Sequence, residues 1–249
     1  MINIAICGAN GHMGKVIADL CSKRDDCKVI AGIDINTEKY SDFEIYKAPS
    51  DIPQKPDVII DFSNPVCLDM LIEYGLSNGT PVVFATTGYN DEQIARIKKA
   101  AEQIPVFFTY NMSLGINLLV ELAKKSTAVL GGQFDIEIVE KHHNQKIDAP
   151  SGTAIMLANA INDTLDNKYH YTYDRHSKRQ KREKTEIGIH SIRGGTIVGE
   201  HDIIFAGQDE VITLSHQAHS KQVFAVGAIN AAIFLSAQKP GLYDMGMMI

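Results

Sequence analysis

Asn3-Ile-Ala-Ile-Cys-Gly-Ala-Asn-Gly-His-Met-Gly14 is the stretch that indicates the fold. Its apolar start, Asn3 to Cys7, is typical of a buried strand, and Met13 to Lys23 has a helical pattern. The three glycines between them allow a tight turn and a close backbone approach to a pyrophosphate, and a helix N terminus favours the anion. The spacing is GxxGxxG rather than GxGxxG, so a glycine-rich turn without a ligand is the alternative.

The rest of the first half repeats this alternation of short apolar runs and longer helical patterns. Such alternation predicts βαβ units and a Rossmann-type parallel sheet with helices on both faces, an α/β fold. The predicted strands are 28–33, 58–61, 81–85 and 106–109, and the predicted helices are 66–77 and 91–103.

The pattern changes after Asn111. A helix is predicted over 115–130, an alternating strand over 134–140 and a helix over 153–165, and 186–218 is rich in strands with few helices between them. We therefore expect a second, α+β domain with a mixed or antiparallel open sheet. The apolar helix 223–236 is suited to packing back on the first domain. The predicted domains are 1–112 with 221–249 for the dinucleotide, and 113–220 for substrate and oligomerisation.

Composition excludes several classes of function. The net charge of −6 and the lack of Trp disfavour a nucleic-acid partner. No apolar stretch approaches the ~20 residues that span a bilayer, and the N terminus lacks a signal-peptide pattern, so we expect no membrane partner and a cytoplasmic location. The four cysteines form no CxxC pair, which predicts reduced thiols and no metal site.

Asp34 ends the second predicted strand, 20 residues after Gly14. A carboxylate there can bond the adenosine ribose hydroxyls and disfavours a 2′-phosphate. Ile35 follows instead of a cation, although Lys39 could help if its loop folds back. The sequence thus favours NADH over NADPH. Ala85–Gly88 and Thr109–Ser113 follow later strands, where ligands of open parallel sheets bind, although ordinary turn chemistry explains any one of these residues equally well.

The segment 140–154 is dense in reactive groups. His142, His143 and Lys146 precede Ser151, which begins a helix whose N–H groups at Gly152 and Thr153 suit a carboxylate. Lys146 and the histidines are candidates for proton transfer. From the residues alone, an anion-binding catalytic site and a merely structural capped turn are about equally supported.

Glu140-Lys-His-His-Asn-Gln-Lys-Ile-Asp-Ala-Pro-Ser-Gly-Thr-Ala154 closely resembles the signature of the 4-hydroxy-tetrahydrodipicolinate reductase family, also called dihydrodipicolinate reductases. The likeness covers nearly the whole chain. It includes 8–14, 60–65, 85–88, 111–113, 193–195, 199–201 and 241–244.

The resemblance implies a reaction and a set of residues. The family reduces a cyclic dicarboxylate derived from 4-hydroxy-tetrahydrodipicolinate, with loss of water and hydride from NADH or NADPH, in diaminopimelate and lysine biosynthesis, typically as a homotetramer. By position, His142 and Lys146 would be catalytic, and His143, Gly152 and Thr153 would bind substrate. The implied cofactor residues are Gly8, Ala9, Asn10, Gly11, His12, Met13, Asp34, Ala85, Thr86, Thr87, Thr109, Tyr110, Asn111 and Met112.

Three departures from the family pattern concern the cofactor. Many members have Gly in place of Ala85 and a smaller residue in place of Tyr110, and NADPH-using members tend to have Arg where this chain has Ile35. Either Ala85 or Tyr110 could alter cofactor affinity.

Two other functions remain alternatives from sequence. A non-catalytic dinucleotide sensor would keep Gly8–Gly14 without needing Lys146, and an aldehyde-level dehydrogenase would need a nucleophile such as Cys67. The basic run Arg175–Lys184 is typical of a solvated loop, or of a patch that attracts a dianionic substrate. His216 and His219 are expected to be structural.

Overall fold

The computed structural model of the protein describes residues 1–176 and 178–248. Its strands, in chain order, are β1 (Ile2–Cys7), β2 (Cys27–Ile33), β3 (Glu44–Tyr46), β4 (Val58–Asp61), β5 (Val82–Phe84), β6 (Pro105–Phe108), β7 (Asp135–His142), β8 (His170–Thr172), β9 (Glu186–Arg193), β10 (Gly199–Ala206), β11 (Val211–Ala218) and β12 (Gly241–Tyr243). Its α-helices are α1 (His12–Cys21), α2 (Leu68–Asn78), α3 (Asp91–Ala100), α4 (Leu114–Leu130), α5 (Gly152–Thr164) and α6 (Gln222–Leu235).

The chain forms two compact units. The first contains Met1–Leu114 and the segment from Gln222 onward, and the second contains Gly115–Lys221. The predicted range 221–249 ends at Ile249, which lies outside the described residues. Within the described part of the chain, no helix is both long and apolar enough to cross a membrane.

The first unit is built on a seven-stranded sheet of order β12-β6-β5-β4-β1-β2-β3, in which every neighbouring pair is parallel. The Rossmann-type prediction is therefore confirmed. Side chains of β1 alternate between two cores: Ile4 and Ile6 face a cluster that contains α6, and Ala5 and Cys7 face one that contains α2 and α3. The last helix thus packs on the first unit, as its apolar composition predicts.

Strand register brings the carboxyl ends of the central strands into one row. Cys7 is paired with Ile33 on one side and with Asp61 on the other, and Asp61 is paired with Phe84. The segments that follow these strands therefore emerge together at one edge of the sheet, where ligands of such folds bind.

The second unit has a five-stranded sheet of order β11-β10-β7-β9-β8. Strand β10 is antiparallel to β7 and β11, and the β7–β9 and β8–β9 pairs are parallel, so the predicted mixed sheet is confirmed. Helices α4 and α5 supply the apolar residues that cover one face. On β7 that buried face is formed by Ile136, Ile138, Glu140 and His142 at every second position.

Strand β7 is longer than the alternation alone predicts. It ends at His142 rather than at Glu140, because β9 pairs with it as far as Arg193 and the Gly194 N–H donates to the His142 carbonyl at 2.9 Å. His142 is therefore a buried strand residue that lies two positions beyond the predicted end of this strand, and that predicted end was wrong. Strands β3, β8 and β12, each three residues long, were missed because they stand outside any longer apolar run, whereas the equally short β5 lies within the predicted apolar run 81–85.

Candidate active site

The glycine-rich turn of the first unit has the close backbone packing that its sequence predicts. Gly8 has a φ of +81°, and a Cβ there would lie 2.5 Å from the Phe62 carbonyl oxygen. A Cβ on Gly14 would lie 2.3 Å from the Gly8 carbonyl oxygen. Gly11 is the N-cap of α1 and brings no side chain to bond its first amides. The backbone therefore forms a bare cradle at a helix N terminus, which fits a pyrophosphate.

Asp34 lies beside this turn and is bonded to it. One carboxylate oxygen accepts the Asn10 N–H at 2.9 Å and the other accepts the Asn36 N–H at 3.1 Å. The Asn10 side chain and the Tyr40 hydroxyl tie the same loop to the turn, the latter through the Ala9 carbonyl at 2.9 Å. Each Asp34 oxygen keeps a lone pair for a ribose hydroxyl.

Two residues after Asp34 bear on the positive charge that its loop can offer. Ile35 is 94% exposed and brings no cation. Lys39, the cation that the sequence offered, donates to Glu44 at 2.5 Å. Lys39 is therefore already engaged by a carboxylate.

A buried polar cluster at the ends of β4 and β5 was not given a role from sequence. Asp61 is fully buried and accepts hydrogen bonds from the Ser63 hydroxyl at 2.5 Å and the Tyr89 hydroxyl at 2.8 Å. The Thr86 hydroxyl accepts the Ser63 N–H at 2.8 Å. Burial raises the pKa of Asp61, and its hydrogen bonds oppose that rise. The cluster fixes the loop after β4 against the predicted cofactor residue Thr86.

The other predicted cofactor residues differ in what they can offer a ligand, and Met13 is partly buried against the core. Ala9, Ala85 and Met112 have buried side chains in the hydrophobic core, so they can offer a ligand only backbone atoms. His12, Thr87 and Tyr110 are exposed, and Tyr110, 66% exposed, packs its ring edge on Phe108. Thr109 and Asn111 bond within their own turn, where the Asn111 side chain accepts the Ser113 N–H at 2.8 Å.

A buried carboxylate organises the reactive segment of the second unit. Glu140 accepts two hydrogen bonds from the Arg193 guanidinium, both 2.7 Å, one on each oxygen. The same oxygens also meet the His142 Nδ1 at 2.6 Å and the Ser151 N–H at 3.1 Å. The Glu140 side chain thus joins strand β7 to strand β9 and to the start of α5. Its bidentate ion pair with Arg193 consists of two charge-assisted hydrogen bonds.

Glu140 is ionised in this setting. Burial favours its neutral form, but hydrogen bonds from His142, Arg193 and the Ser151 N–H more than offset burial and hold the pKa of Glu140 well below its usual range. An ionised Glu140 can only accept, so the His142 Nδ1 must carry the hydrogen of their shared bond. The Nε2 atom is then the position at which His142 can gain or lose a proton.

A second imidazole, His201, completes the buried arrangement. Its Nε2 lies 3.1 Å from the Ser151 hydroxyl, and its ring meets the His142 ring edge-on at 5.3 Å. Burial, with a contribution from His142, lowers the pKa of His201 to about 4, so it is neutral near pH 7. Gly199 leaves space beside His142, since a Cβ there would lie 3.2 Å from the His142 Nε2.

Lys146 lies in the turn between β7 and α5. Its N–H donates to the His143 carbonyl at 3.1 Å, and its ammonium is 2.8 Å from Asp148. Burial opposes ionisation of Asp148, but Lys146 outweighs it and lowers the pKa of Asp148. The Arg193 guanidinium also donates to the Asp148 carbonyl at 2.6 Å, so the turn is connected to the Glu140–Arg193 ion pair.

The start of α5 is capped as predicted. The Ser151 hydroxyl accepts the Ala154 N–H at 3.2 Å. Gly152 has open space around its Cα, with no heavy atom within 4 Å of an ideal Cβ. The first turn of α5 is therefore an approachable helix N terminus in the same segment as Lys146 and His143.

The structure brings the predicted residues of this segment together and adds two partners that the sequence did not assign. Arg193 and His201 both lie in motifs that carry the family resemblance, but nothing local to them indicates a partner. Their roles depend on the pairing of β9 and β10 with β7.

Most of the described residues of the basic run Arg175–Lys184 are exposed, as expected of a solvated loop, but two of its arginines form ion pairs. Arg175 pairs with the buried Glu186, and Arg182 donates to Glu137 at 2.9 Å. Ser177, within the run, lies outside the described residues. Part of the positive charge is therefore already compensated.

Two family models together match most of the chain. "Dihydrodipicolinate reductase, N-terminus" matches residues 2–112, and "Dihydrodipicolinate reductase, C-terminus" matches residues 115–249.

Individual relatives agree with these models. The 4-hydroxy-tetrahydrodipicolinate reductase of Caldanaerobacter subterraneus subsp. tengcongensis is 51% identical, covering 98% of this chain and 97% of the relative. The protein of the same name from Clostridium tetani is 43% identical over 100% of this chain and 97% of its own. Among solved structures, dipicolinate-bound dihydrodipicolinate reductase from Paenisporosarcina sp. TG-14 aligns with a TM-score of 0.81 at 26% identity, covering 98% of this chain and 97% of that chain.

Replacement of Glu140 by Gln tests the hydrogen-bonded cluster of Glu140, Arg193, His142 and Ser151 through the free energy of unfolding. The folded-state pKa of Glu140 is lowered from 4.5, so the unfolded chain binds the proton first as pH falls. Wild-type stability from this group is present above pH 4.5 and is lost as pH falls toward the lowered value. Glu140→Gln should cost about 3–5 kcal/mol at pH 7, because Arg193 loses its buried counter-charge.

The measurement is urea unfolding at pH 7 and at about pH 3.5. The cost of Glu140→Gln should be smaller at the lower pH. Glu121→Gln, which removes an exposed ion pair with Lys124 on α4, is the control and should change little at either pH. An equal cost for Glu140→Gln at both pH values would contradict an ionised Glu140.

Proposed function

The chain belongs to the dihydrodipicolinate reductase family, and from this premise we propose that His142 and Lys146 handle the proton of its reaction. The protein reduces 4-hydroxy-tetrahydrodipicolinate to tetrahydrodipicolinate with NAD(P)H, a step of diaminopimelate and lysine biosynthesis. The observation that carries the proposal is the 2.6 Å bond between His142 Nδ1 and Glu140. It fixes the ring and leaves Nε2 as its proton-exchanging atom.

The dinucleotide belongs on the first unit. The Gly8–Gly14 cradle and the first turn of α1 would hold its pyrophosphate, Asp34 its adenosine ribose, and the turns after β5 and β6 its nicotinamide half. When bound, the dinucleotide supplies the hydride. Exposed Tyr110 lies in the last of these turns and can cover the ring or compete with it for space.

We propose that NADH is the preferred cofactor. Asp34 is held in place by two backbone N–H groups, Ile35 supplies no cation, and Lys39 is engaged by Glu44. A 2′-phosphate placed near Asp34 would meet a carboxylate, and the neighbouring Ile35 and the engaged Lys39 offer it little compensating charge.

The dicarboxylate substrate belongs on the second unit. The amides of Gly152 and Thr153 at the start of α5 would hold one carboxylate, with His143 and Lys146 on the same segment. The Paenisporosarcina relative binds dipicolinate, a compound with two carboxylates on one ring, which supports this placement. Asp148 balances Lys146 until a substrate carboxylate arrives.

The reduction consumes a proton as well as a hydride and releases water. A group near neutral pH must therefore donate a proton, and an ammonium or imidazolium suits that role. Lys146 is positioned as the donor through its turn and Asp148, and His142 exchanges a proton at Nε2. Arg193 and His201 act through Glu140 and Ser151, so they are positioning residues.

The oligomeric state and the cellular location of the protein are also proposals. We propose a homotetramer built through the mixed sheet, because its edge strand β11 exposes Val211 and Ile212. A cytoplasmic location agrees with a biosynthetic role and stays a prediction.

Replacing Lys146 by Ala tests the proton donor. We expect kcat to fall about a hundredfold or more, because general acid catalysis is worth that much. The dissociation constant for NADH, measured by fluorescence titration, should stay near the wild-type value.

Lys168→Ala is the matched control. Lys168 also forms a 2.8 Å ion pair with an Asp two residues away, in the same unit. It should keep wild-type turnover. A Lys146→Ala variant that folds and turns over within a few fold of wild type would exclude Lys146 as the donor.

Replacing Ile35 by Arg tests the origin of the cofactor preference. The added guanidinium should lower the KM for NADPH roughly tenfold, since a hydrogen bond to a charged group is worth about 1.5–3 kcal/mol. The KM for NADH should change little. Val129→Arg, a 71% exposed position of the second unit, controls for the added charge. If Ile35→Arg leaves the ratio of kcat/KM for the two cofactors unchanged, the ribose does not lie at Asp34.

A further inference from the structure

The last residues of three neighbouring strands form a row at the carboxyl edge of the parallel sheet. Asp61 of β4 is paired with Phe84 of β5, and Phe84 is paired with Phe108 of β6. Residues that are paired in neighbouring strands have their side chains on the same face of a sheet. Phe84 belongs to the core cluster that contains α2 and α3, and Phe108 packs against that cluster. The buried Asp61 carboxylate therefore lies on the same face as the two aromatic rings.

Tyr89 contacts all three residues of this row. It follows β5, in the turn that leads to α3. Its hydroxyl donates to the Asp61 carboxylate at 2.8 Å. Its ring meets the Phe84 ring and the Phe108 ring edge-on, with 6.3 Å and 6.2 Å between the ring centroids. One side chain thus links the ends of β4, β5 and β6.

The Tyr89 hydroxyl acts on the segments after β4 and β5 through Asp61. The other Asp61 oxygen accepts the Ser63 N–H at 3.1 Å and the Ser63 hydroxyl at 2.5 Å. The same Ser63 N–H also donates to the Thr86 hydroxyl at 2.8 Å. Without the Tyr89 hydroxyl, a buried carboxylate oxygen would lose a donor, which is costly and favours rearrangement of the groups around it.

The Tyr89 ring acts on the turn after β6. Phe108 lies between two aromatic neighbours, since it meets the Tyr110 ring edge-on at 5.4 Å as well as the Tyr89 ring. Edge-on packing of this kind has a preferred geometry, so a shift of one ring favours a shift of the next. The position of Tyr110 therefore depends on Tyr89 through Phe108.

The backbone beside Tyr89 is fixed independently of its side chain. The Asn90 side chain accepts the Gln93 N–H at 2.8 Å, and the Gln93 side chain accepts the Asn90 N–H at 3.0 Å, which is a capping box at the start of α3. The Gln93 side chain also donates to the Pro65 carbonyl at 3.2 Å, in the loop after β4. A change to the Tyr89 side chain should therefore leave the start of α3 in place.

We propose that Tyr89 is a positioning residue for the nicotinamide half of the dinucleotide, an inference that rests on the proposed function. Tyr89 holds the turns after β5 and β6, to which that half is assigned, against each other and against the loop after β4. The pyrophosphate and the adenosine are assigned to other segments, Gly8–Gly14 and Asp34. Loss of Tyr89 should therefore slow hydride transfer, which depends on exact placement of the nicotinamide, more than it weakens binding of the adenosine half.

The first test is Tyr89→Phe, which removes the hydroxyl and keeps the ring. The rate constant for oxidation of bound NADH in a single turnover with 4-hydroxy-tetrahydrodipicolinate, measured by stopped-flow absorbance, should fall roughly tenfold. Loss of folded protein alone would lower the amplitude and leave the rate constant unchanged. The dissociation constant of ADP-ribose, a probe without the nicotinamide, should stay near the wild-type value in calorimetric titration.

Tyr89→Leu separates the ring from the hydroxyl, because it removes both. The single-turnover rate constant should fall further than in Tyr89→Phe, to roughly a hundredth of the wild-type value. Amide hydrogen exchange of the protein without cofactor should then show which segments move. Tyr89→Phe should raise exchange in 62–65 and 85–88, and Tyr89→Leu should raise it in 109–113 as well.

Tyr171→Phe is the matched control. The Tyr171 hydroxyl donates to the Asn159 side chain at 2.6 Å, in the second unit, so this variant loses a comparable hydrogen bond away from the row. It should keep the wild-type rate constant and the wild-type exchange of 62–65 and 85–88.

A Tyr89→Phe variant with the wild-type single-turnover rate constant would overturn the proposal. Unchanged exchange in both Tyr89 variants would also overturn it. A loss of ADP-ribose affinity as large as the loss of rate would overturn the assignment to the nicotinamide half. A wild-type protein that does not oxidise NADH with this substrate would contradict the proposed function instead, and the exchange measurement, which needs no cofactor, would still test the packing.

Discussion

Glu140 must be ionised and fully bonded to lie where it does, since an unpaired carboxylate on the helix-covered face of a sheet is very costly. Four hydrogen bonds from Arg193, His142 and the Ser151 N–H meet this requirement. Each of them fixes a part of the site: the register of β9 on β7, the direction of an imidazole, and the start of α5. The carboxylate therefore has a structural effect and, in our proposal, a chemical one, because the bonds that make its burial tolerable also orient the groups proposed to exchange protons and bind anions.

In the first unit, the proposed ligand-binding groups are held in place by close packing of the backbone rather than by a buried charge. Gly8 and Gly14 are packed against carbonyl oxygens at distances that exclude a side chain, and Asp34 is held by N–H groups of Asn10 and Asn36. The pyrophosphate binding proposed there would depend on the first amides of α1 and on close approach of the backbone, which tolerate little movement.

Much of the fold could be predicted from the sequence, because its signals are local. The glycine turn, the strand lengths and the apolar helix 223–236 each depend on neighbouring residues, and the family signature indicated His142, His143, Lys146, Gly152 and Thr153 as a group. The ion pair of Glu140 with Arg193 could not be predicted in the same way. Glu140 and Arg193 are 53 residues apart, and only strand pairing shows that their side chains meet. The strand end predicted at residue 140 was wrong for the same reason, since pairing with β9 extends β7 to His142.

The central claim is that ionised Glu140 fixes the hydrogen of His142 on Nδ1 and leaves Nε2 for chemistry. Nitrogen NMR of the protein with isotopically labelled histidine measures this directly, with the His142→Gln variant used to assign the His142 signals among nine histidines. In the neutral form of His142, we predict a protonated Nδ1, shielded from exchange by its short bond, and an unprotonated Nε2. A neutral His142 with its hydrogen on Nε2 and a bare Nδ1 would contradict the account.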